Sequence, residues 1–333
     1  MTARRPHARQ RVAAAGCATA IAVIGVPSVT ALTATAAGHA SHAARTAHPP
    51  RPAAAHRLNP TAAAKAAGIT RPGQAYMGWR DGHVAMTAKV KHGKLVLSPV
   101  KVPGLSPMAS GSGTKPDTGT PSVSPNLSST SVSGMDVSHW QGTVPWTSWY
   151  NSGKRFAYIK ATEGTSYVSS TFSAQYTGSY KAGMIRGAYH FGLPSGASGA
   201  TQADYFVAHG GGWSSDGKTL PGVLDIEWNP YGSTCYDKTP SELISWVSSF
   251  VKQYRYRTGR DAVIYTAYSY WHGCLGNTSA FSNTNPLWLA NYSTSNPPLF
   301  GSWPWFTFQQ YTDSPLDQDR FNGSYTRLKA LAG

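Results

Sequence analysis

The chain has 333 residues, 41% of them apolar and only 13% charged, with 11 Trp, 18 Tyr and 10 Phe. That length suits two ordinary domains or one large α/β barrel, and the composition excludes a coiled coil, a collagen, a disulfide-dense miniprotein and a wholly disordered chain. The net charge of +15 suggests a nucleic-acid binder only until it is mapped, because residues 1–133 hold 15 Lys+Arg against 2 Asp+Glu and residues 134–333 hold 14 against 12.

Residues 1–37 read as an export signal. A basic stretch, MTARRPHARQR, precedes an apolar and small-residue run over 12–37, and Ala34-Thr35-Ala36 offers a cleavage site. Arg4-Arg5 hints at the twin-arginine route. Cys17 lies inside the apolar run, not at its end, so it is not placed for lipidation. Removal of the signal leaves Cys235 and Cys274, an even pair that reads as a disulfide in an exported chain. Closing that loop stabilises by about 4 kcal/mol on the loop-entropy argument.

Residues 38–70 are rich in Ala, His, Pro and Arg without apolar periodicity, and read as disordered. Residues 74–102 carry short β-like runs at Tyr76–Trp79, 84–86 and 95–97, separated by Asp81-Gly82 and His92-Gly93 turn signals, which suggests a small β unit. Its Lys89, Lys91, Lys94 and Lys101 read as a solvated face or as contacts to an anionic wall. Residues 103–133 are a Ser/Thr/Pro/Gly linker.

From Gly134 the pattern alternates. Candidate strands cover 134–137, 156–161, 185–190, 223–226, 262–266, 287–291, 306–310 and 317–321, with helices over 169–183 and 199–209. The clearest helix opens at Thr239-Pro240-Ser241-Glu242, a cap with proline in the first turn, and continues with Leu243, Trp246, Val247 and Phe250 at helical spacing. Eight strands with crossover helices in about 200 residues predict an α/β fold, an irregular TIM-like β/α barrel with short or missing later helices. The domain reading is a signal peptide at 1–37, a largely disordered basic region and linker at 38–133, and a catalytic barrel at 134–333.

Asp136, Glu163, His190, Asp225, Glu227, Asn291, Gln310 and Asp317 sit at or near the ends of these apolar runs. In a barrel of parallel strands such ends converge on the face where active sites are built. Val223-Leu224-Asp225-Ile226-Glu227-Trp228 is the sharpest signal: on a strand Asp225 and Glu227 share one face while Leu224 and Ile226 pack behind. Two such carboxyls push each other's pKa values apart, so one stays protonated as an acid while the other stays charged, as glycosidic cleavage requires. No D-x-D-x-D-G series suggests calcium instead, and no metal site is expected. Trp140, Trp228, Tyr189, Tyr292 and Tyr311 each adjoin one of the polar residues and offer rings on which sugars stack.

GMDVSHWQG at 134–142, FAYIKATEG at 156–164, GAYHF at 187–191, LDIEWN at 224–229, LWLANY at 287–292, FQQYT at 308–312 and LDQDRFNG at 316–323 resemble, in that order, the motifs of glycoside hydrolase family 25. The resemblance covers residues 134–331. It implies an irregular β/α barrel and a lysozyme activity, the hydrolysis of the β-1,4 bond between N-acetylmuramic acid and N-acetylglucosamine in peptidoglycan, without a cofactor. It also implies Glu227 as general acid/base, Asp225 as the carboxylate assisting the first step, and Asp136 and Asp317 as further acidic site residues. Tyr189, Asn291 and Gln310 fall in groove-lining motifs, and Trp140, Trp228 and Glu163 are assigned to substrate binding beside them.

A non-catalytic wall-binding barrel is disfavoured by the presence of both Asp225 and Glu227. A chitinase-like barrel lacks its longer acidic series, since Val223 and Leu220 stand two and five residues before Asp225. No nucleic-acid motif accompanies the basic N-terminal part. The expected protein is therefore a secreted, monomeric antibacterial or wall-remodelling enzyme whose partner is peptidoglycan glycan strands, without stable membrane association after signal cleavage. Its basic residues 38–133 serve as a wall-directed tether or as a pro-region or spacer.

Overall fold

A computed structural model describes residues 59–80, 127–292 and 297–333, together with the backbone of 86–91 and 94–99. The expected export signal and most of the linker lie outside the described residues. The elements run α1 (Ala62–Ala66), β1 (Met86–Lys91), β2 (Lys94–Pro99), β3 (Val132–Val137), α2 (Trp146–Asn151), β4 (Phe156–Glu163), β5 (Tyr167–Val168), α3 (Phe172–Lys181), β6 (Ile185–Phe191), α4 (Gly199–Phe206) and β7 (Val223–Asp225). The chain continues with α5 (Pro240–Thr258), β8 (Val263–Ala267), α6 (Tyr268–Leu275), β9 (Leu287–Ala290), β10 (Phe308–Thr312), β11 (Gln318–Phe321) and α7 (Tyr325–Ala332).

Eight strands close a barrel in the order β3-β11-β10-β9-β8-β7-β6-β4, with β4 pairing back to β3 and β5 appended to β4. Seven of the eight are mutually parallel. The exception is β11, which runs antiparallel to both β10 and β3. The expectation of uniformly parallel strands is corrected there, and the reason is local. Only a short connection joins β10 to β11, and a parallel crossover needs about a dozen residues or more.

Alternation along the strands sorts the core. Inward residues Phe156, Tyr158, Tyr189, Tyr265, Trp288 and Phe308 fill the barrel with rings. Outward residues Ala161, Ala188, Leu224, Ile226, Ile264 and Leu289 pack against the helices. Room for the rings comes from glycine: a Cβ on Gly134 would stand 2.3 Å from Phe156, and one on Gly187 would stand 2.2 Å from Tyr158. Large and small residues thus alternate across the interior, as barrel filling requires.

The helix predicted at Thr239 forms as expected. Thr239 and Glu242 make a reciprocal capping box, and Gly259 ends the helix with φ 72°. Its buried stripe of Leu243, Trp246, Val247, Phe250, Val251 and Tyr254 covers the outer face of the barrel, each large apolar side chain contributing about 1.5–3 kcal/mol.

Two expectations for the N-terminal part are corrected. Residues 61–70 are ordered: Thr61 caps α1, its amide donates to Pro230 O at 2.8 Å, and Ala64, Ala67 and Ile69 are buried in the main core. Tyr76–Trp79 is not a strand but a run of turns. An antiparallel hairpin does form further on, with Met86 opposite Pro99 and Lys91 opposite Lys94. No helix among the described residues is long and apolar enough to cross a membrane.

Candidate active site

The strand ends deliver the site as their direction demands. Asp136 is the penultimate residue of β3, Glu163 ends β4, Tyr189 faces inward from β6, Asp225 ends β7 and Gln310 lies within β10. Asp317 reaches the same face by the opposite route: it precedes β11, and because that strand is antiparallel its beginning lies beside the ends of the others. Glu227 stands two residues past β7. The backbone there stays extended, with Ile226 N donating to Tyr265 O at 3.0 Å, so Asp225 and Glu227 share the inner face while Ile226 is in the outer core.

His190 does not join them. One residue out of phase with Tyr189, it points outward, bonded through Nδ1 to Thr162 Oγ1 at 2.7 Å and through Nε2 to Gln202 Oε1 at 3.0 Å, and stacked on Phe250. Burial lowers its pKa to about 3, so it is a neutral core histidine. Tyr311 likewise leaves the groove and stacks under Arg320 at 4.0 Å. Asn291 lies just past β9, half-buried, its amide donating to Gln310 O at 3.0 Å.

Gln310 is the hub of one wall. Its Nε2 donates to Asp136 Oδ2 at 2.8 Å, and its Oε1 accepts from Tyr265 OH at 2.6 Å and from Tyr292 OH. These bonds fix which amide atom faces which neighbour. A second network lies opposite, where Glu163 accepts from Tyr231 OH and pairs with the fully buried Lys160. The loop that delivers Tyr231 is shaped by Asn229, which accepts from Tyr231 N at 2.9 Å and donates to Ser233 O at 3.1 Å.

Burial dominates the electrostatics. It raises the carboxyls of Asp225, Asp317 and Asp319 well above the usual range, with the charge of Asp136 pushing each further up; Lys160 and Glu227 oppose the rise at Asp225. Asp136 itself is raised to about 7 by burial, against the stabilising bond from Gln310. A group held neutral by the fold supports it fully below the unfolded value of 3.8 and withdraws that support as pH climbs through about 7. The thermal midpoint is therefore expected to fall between pH 4 and 7, and Asp136→Asn to fall less over that range. Calorimetry across the window checks this; equal slopes would refute it.

Sequence reasoning missed Lys160, Tyr231, Tyr265 and Asp319. Asp319 had a signal, since it follows Asp317 at strand spacing. Lys160 had one too, as a lone charge in an apolar strand three residues before Glu163. Tyr231 had none, because the loop that carries it is not periodic.

The groove above these residues holds the segment from Gly73 to Arg80. Gly73 N donates to Glu163 Oε1 at 2.8 Å and Gly78 N to Glu227 Oε1 at 2.7 Å. Lys160 Nζ donates to Gly73 O at 3.2 Å and to Ala75 O. Trp140 Nε1 donates to Gln74 O at 2.9 Å, and the Tyr76 ring meets Trp140 edge-on at 6.3 Å. Trp79 Nε1 donates to Trp228 O at 3.1 Å, and the Arg80 guanidinium lies 4.3 Å over the Trp228 ring. Met77 is fully buried among the inward rings of the barrel.

Cys235, in the loop after β7, is bonded to Cys274 in α6, with Cα atoms 5.4 Å apart. The bridge ties the loop after β7 to the helix after neighbouring β8, at the rim beside Trp228. Thiol titration of the denatured, unreduced protein without residues 1–37 is expected to find no free cysteine; two titratable thiols would contradict it.

The family model for glycosyl hydrolases family 25 matches residues 135–319. The chain is 46% identical over 209 residues to Lysozyme M1 of Streptomyces globisporus, covering 60% of this chain and 71% of that one. It is 44% identical over 208 residues to an N,O-diacetylmuramidase of Chalaropsis sp, covering 60% of this chain and 99% of that one. Among solved structures, the muramidase from Acremonium alcalophilum superposes with a TM-score of 0.60 at 50% identity, covering 60% of this chain and 98% of that one.

Proposed function

The chain belongs to glycosyl hydrolases family 25, and from that premise we propose that it is an exported, monomeric muramidase cutting the β-1,4 bond between N-acetylmuramic acid and N-acetylglucosamine in peptidoglycan. The observation that carries the reading is the convergence of Asp136, Asp225, Glu227 and Asp317 on one end of the barrel, each no more than 7% exposed. They lie between aromatic edges at Trp140 and Trp228. The disulfide fits an oxidising compartment outside the cytoplasm.

Glu227 delivers its proton to the bridging oxygen as the bond from the anomeric carbon breaks. Asp225, two residues before it on the same face, stabilises the developing oxocarbenium charge. Either Asp225 or the substrate's own acetamido oxygen closes on the anomeric carbon. Water then adds as Glu227 takes its proton, and configuration is retained. Asp136 and Asp317 complete the acidic wall, with Asp136 held by Gln310. Tyr189, Asn291, Gln310, Trp140, Trp228 and Glu163 contact the glycan. None of these steps draws on a cofactor.

Digestion of purified peptidoglycan with mass spectrometry of the products tests the reading. Fragments ending in reducing muramic acid are expected; reducing glucosamine ends would overturn it.

A further inference from the structure

The segment 73–80 fills the groove assigned above to the glycan. It does so with a substrate's chemistry: backbone N–H groups donate to Glu227 and Glu163 as sugar hydroxyls would, and the Tyr76 ring stands against Trp140. Met77 plugs the barrel mouth, and Arg80 covers Trp228. A glycan bonded to Glu227 and the segment bonded to Glu227 exclude each other.

The fit is specific at two glycines. Gly73 has φ +91° and a Cβ there would stand 2.2 Å from the Tyr167 ring; Gly78 has φ +76° and a Cβ there would stand 2.8 Å from Gln310 Oε1 and Tyr292 OH. Both positions need a left-handed backbone and close approach, which glycine alone supplies without strain. Anchorage extends upstream. Gln74 Oε1 accepts from Thr70 N at 2.8 Å and Arg71 N at 3.1 Å, and Ile69 is fully buried.

The Acremonium chain is matched over 98% of its length by 60% of this one. Residues 134–333 by themselves make up 60% of this chain, the share matched there. We infer that residues 59–80 are an autoinhibitory strap, and that the intact chain is a latent form whose site opens only when the strap leaves. The inference rests on the groove being the glycan site. Residues 81–126 join the strap to the barrel, so hydrolysis of a peptide bond among them makes the contact bimolecular and removes an effective concentration of roughly millimolar order.

The test compares the intact chain with Met77→Asp, which places a carboxylate among the inward rings of the barrel mouth, and with Gly78→Val. Two readouts are taken: hydrogen exchange at the Gly73 and Gly78 amides, and release of reducing ends from peptidoglycan. Slow exchange in the intact chain, lost in both variants, is expected together with a rise in turnover of at least about tenfold, the gain from freeing a site closed nine-tenths of the time. Fast exchange in the intact chain overturns the strap. So does equal, nonzero turnover by all three chains. Exposed amides in the variants with no turnover by any chain would overturn the muramidase reading, and the latency with it.

Discussion

Replacing Glu227 by Gln, in a Met77→Asp background so that the groove is open, is expected to lower turnover on peptidoglycan by about 10² to 10⁴-fold. Glutamine keeps the size and one acceptor of the carboxyl but has no proton to give. The fold is expected to survive, because the backbone of Glu227 is held independently, with Tyr236 OH donating to Glu227 O at 2.9 Å. Reducing-end release and near-ultraviolet circular dichroism check the two halves. Near-normal turnover would remove Glu227 from the chemistry.

Asp225→Asn is expected to move activity and stability in opposite directions. Turnover falls by about 10² to 10³-fold, the usual loss when one preorganised electrostatic partner of the transition state is removed. Thermal stability at neutral pH rises, because the fold pushes this buried carboxyl's pKa well up and an amide has no charge to desolvate. Such opposition marks a site strained for function. A fall in both quantities would make Asp225 a structural residue. Reducing-end assays and thermal melts at pH 7 separate the cases.

The barrel was legible because its signals are local. Alternation over Val223–Glu227 placed two carboxyls inward and two aliphatic residues outward, and the strands lie within a few residues of their expected ranges. His190 shows the limit: proximity to a strand end does not say which way a side chain points, and its phase against Tyr189 was the information needed. The direction of β11 was hidden because pattern reports period, not polarity. The strap was hidden more thoroughly. Tyr76-Met77-Gly78-Trp79 has the composition of a strand, yet its partners Trp140, Glu227 and Trp228 lie far along the chain. No window on the sequence contains both sides of that contact.

Closure of the barrel has a consequence for biogenesis. The seam pairs Val132 of β3 with Phe321 of β11, and it brings Asp136 beside Gln310. Residues nearly two hundred positions apart must meet before the acidic wall exists, and contacts so distant in sequence form slowly. A nascent chain emerging in order exposes β3 long before β11 is made. Until β10 and β11 are made, Asp225 and Glu227 lack the wall that faces them. A chain cut short before β11 therefore lacks the completed acidic wall, for a reason of topology that precedes any strap.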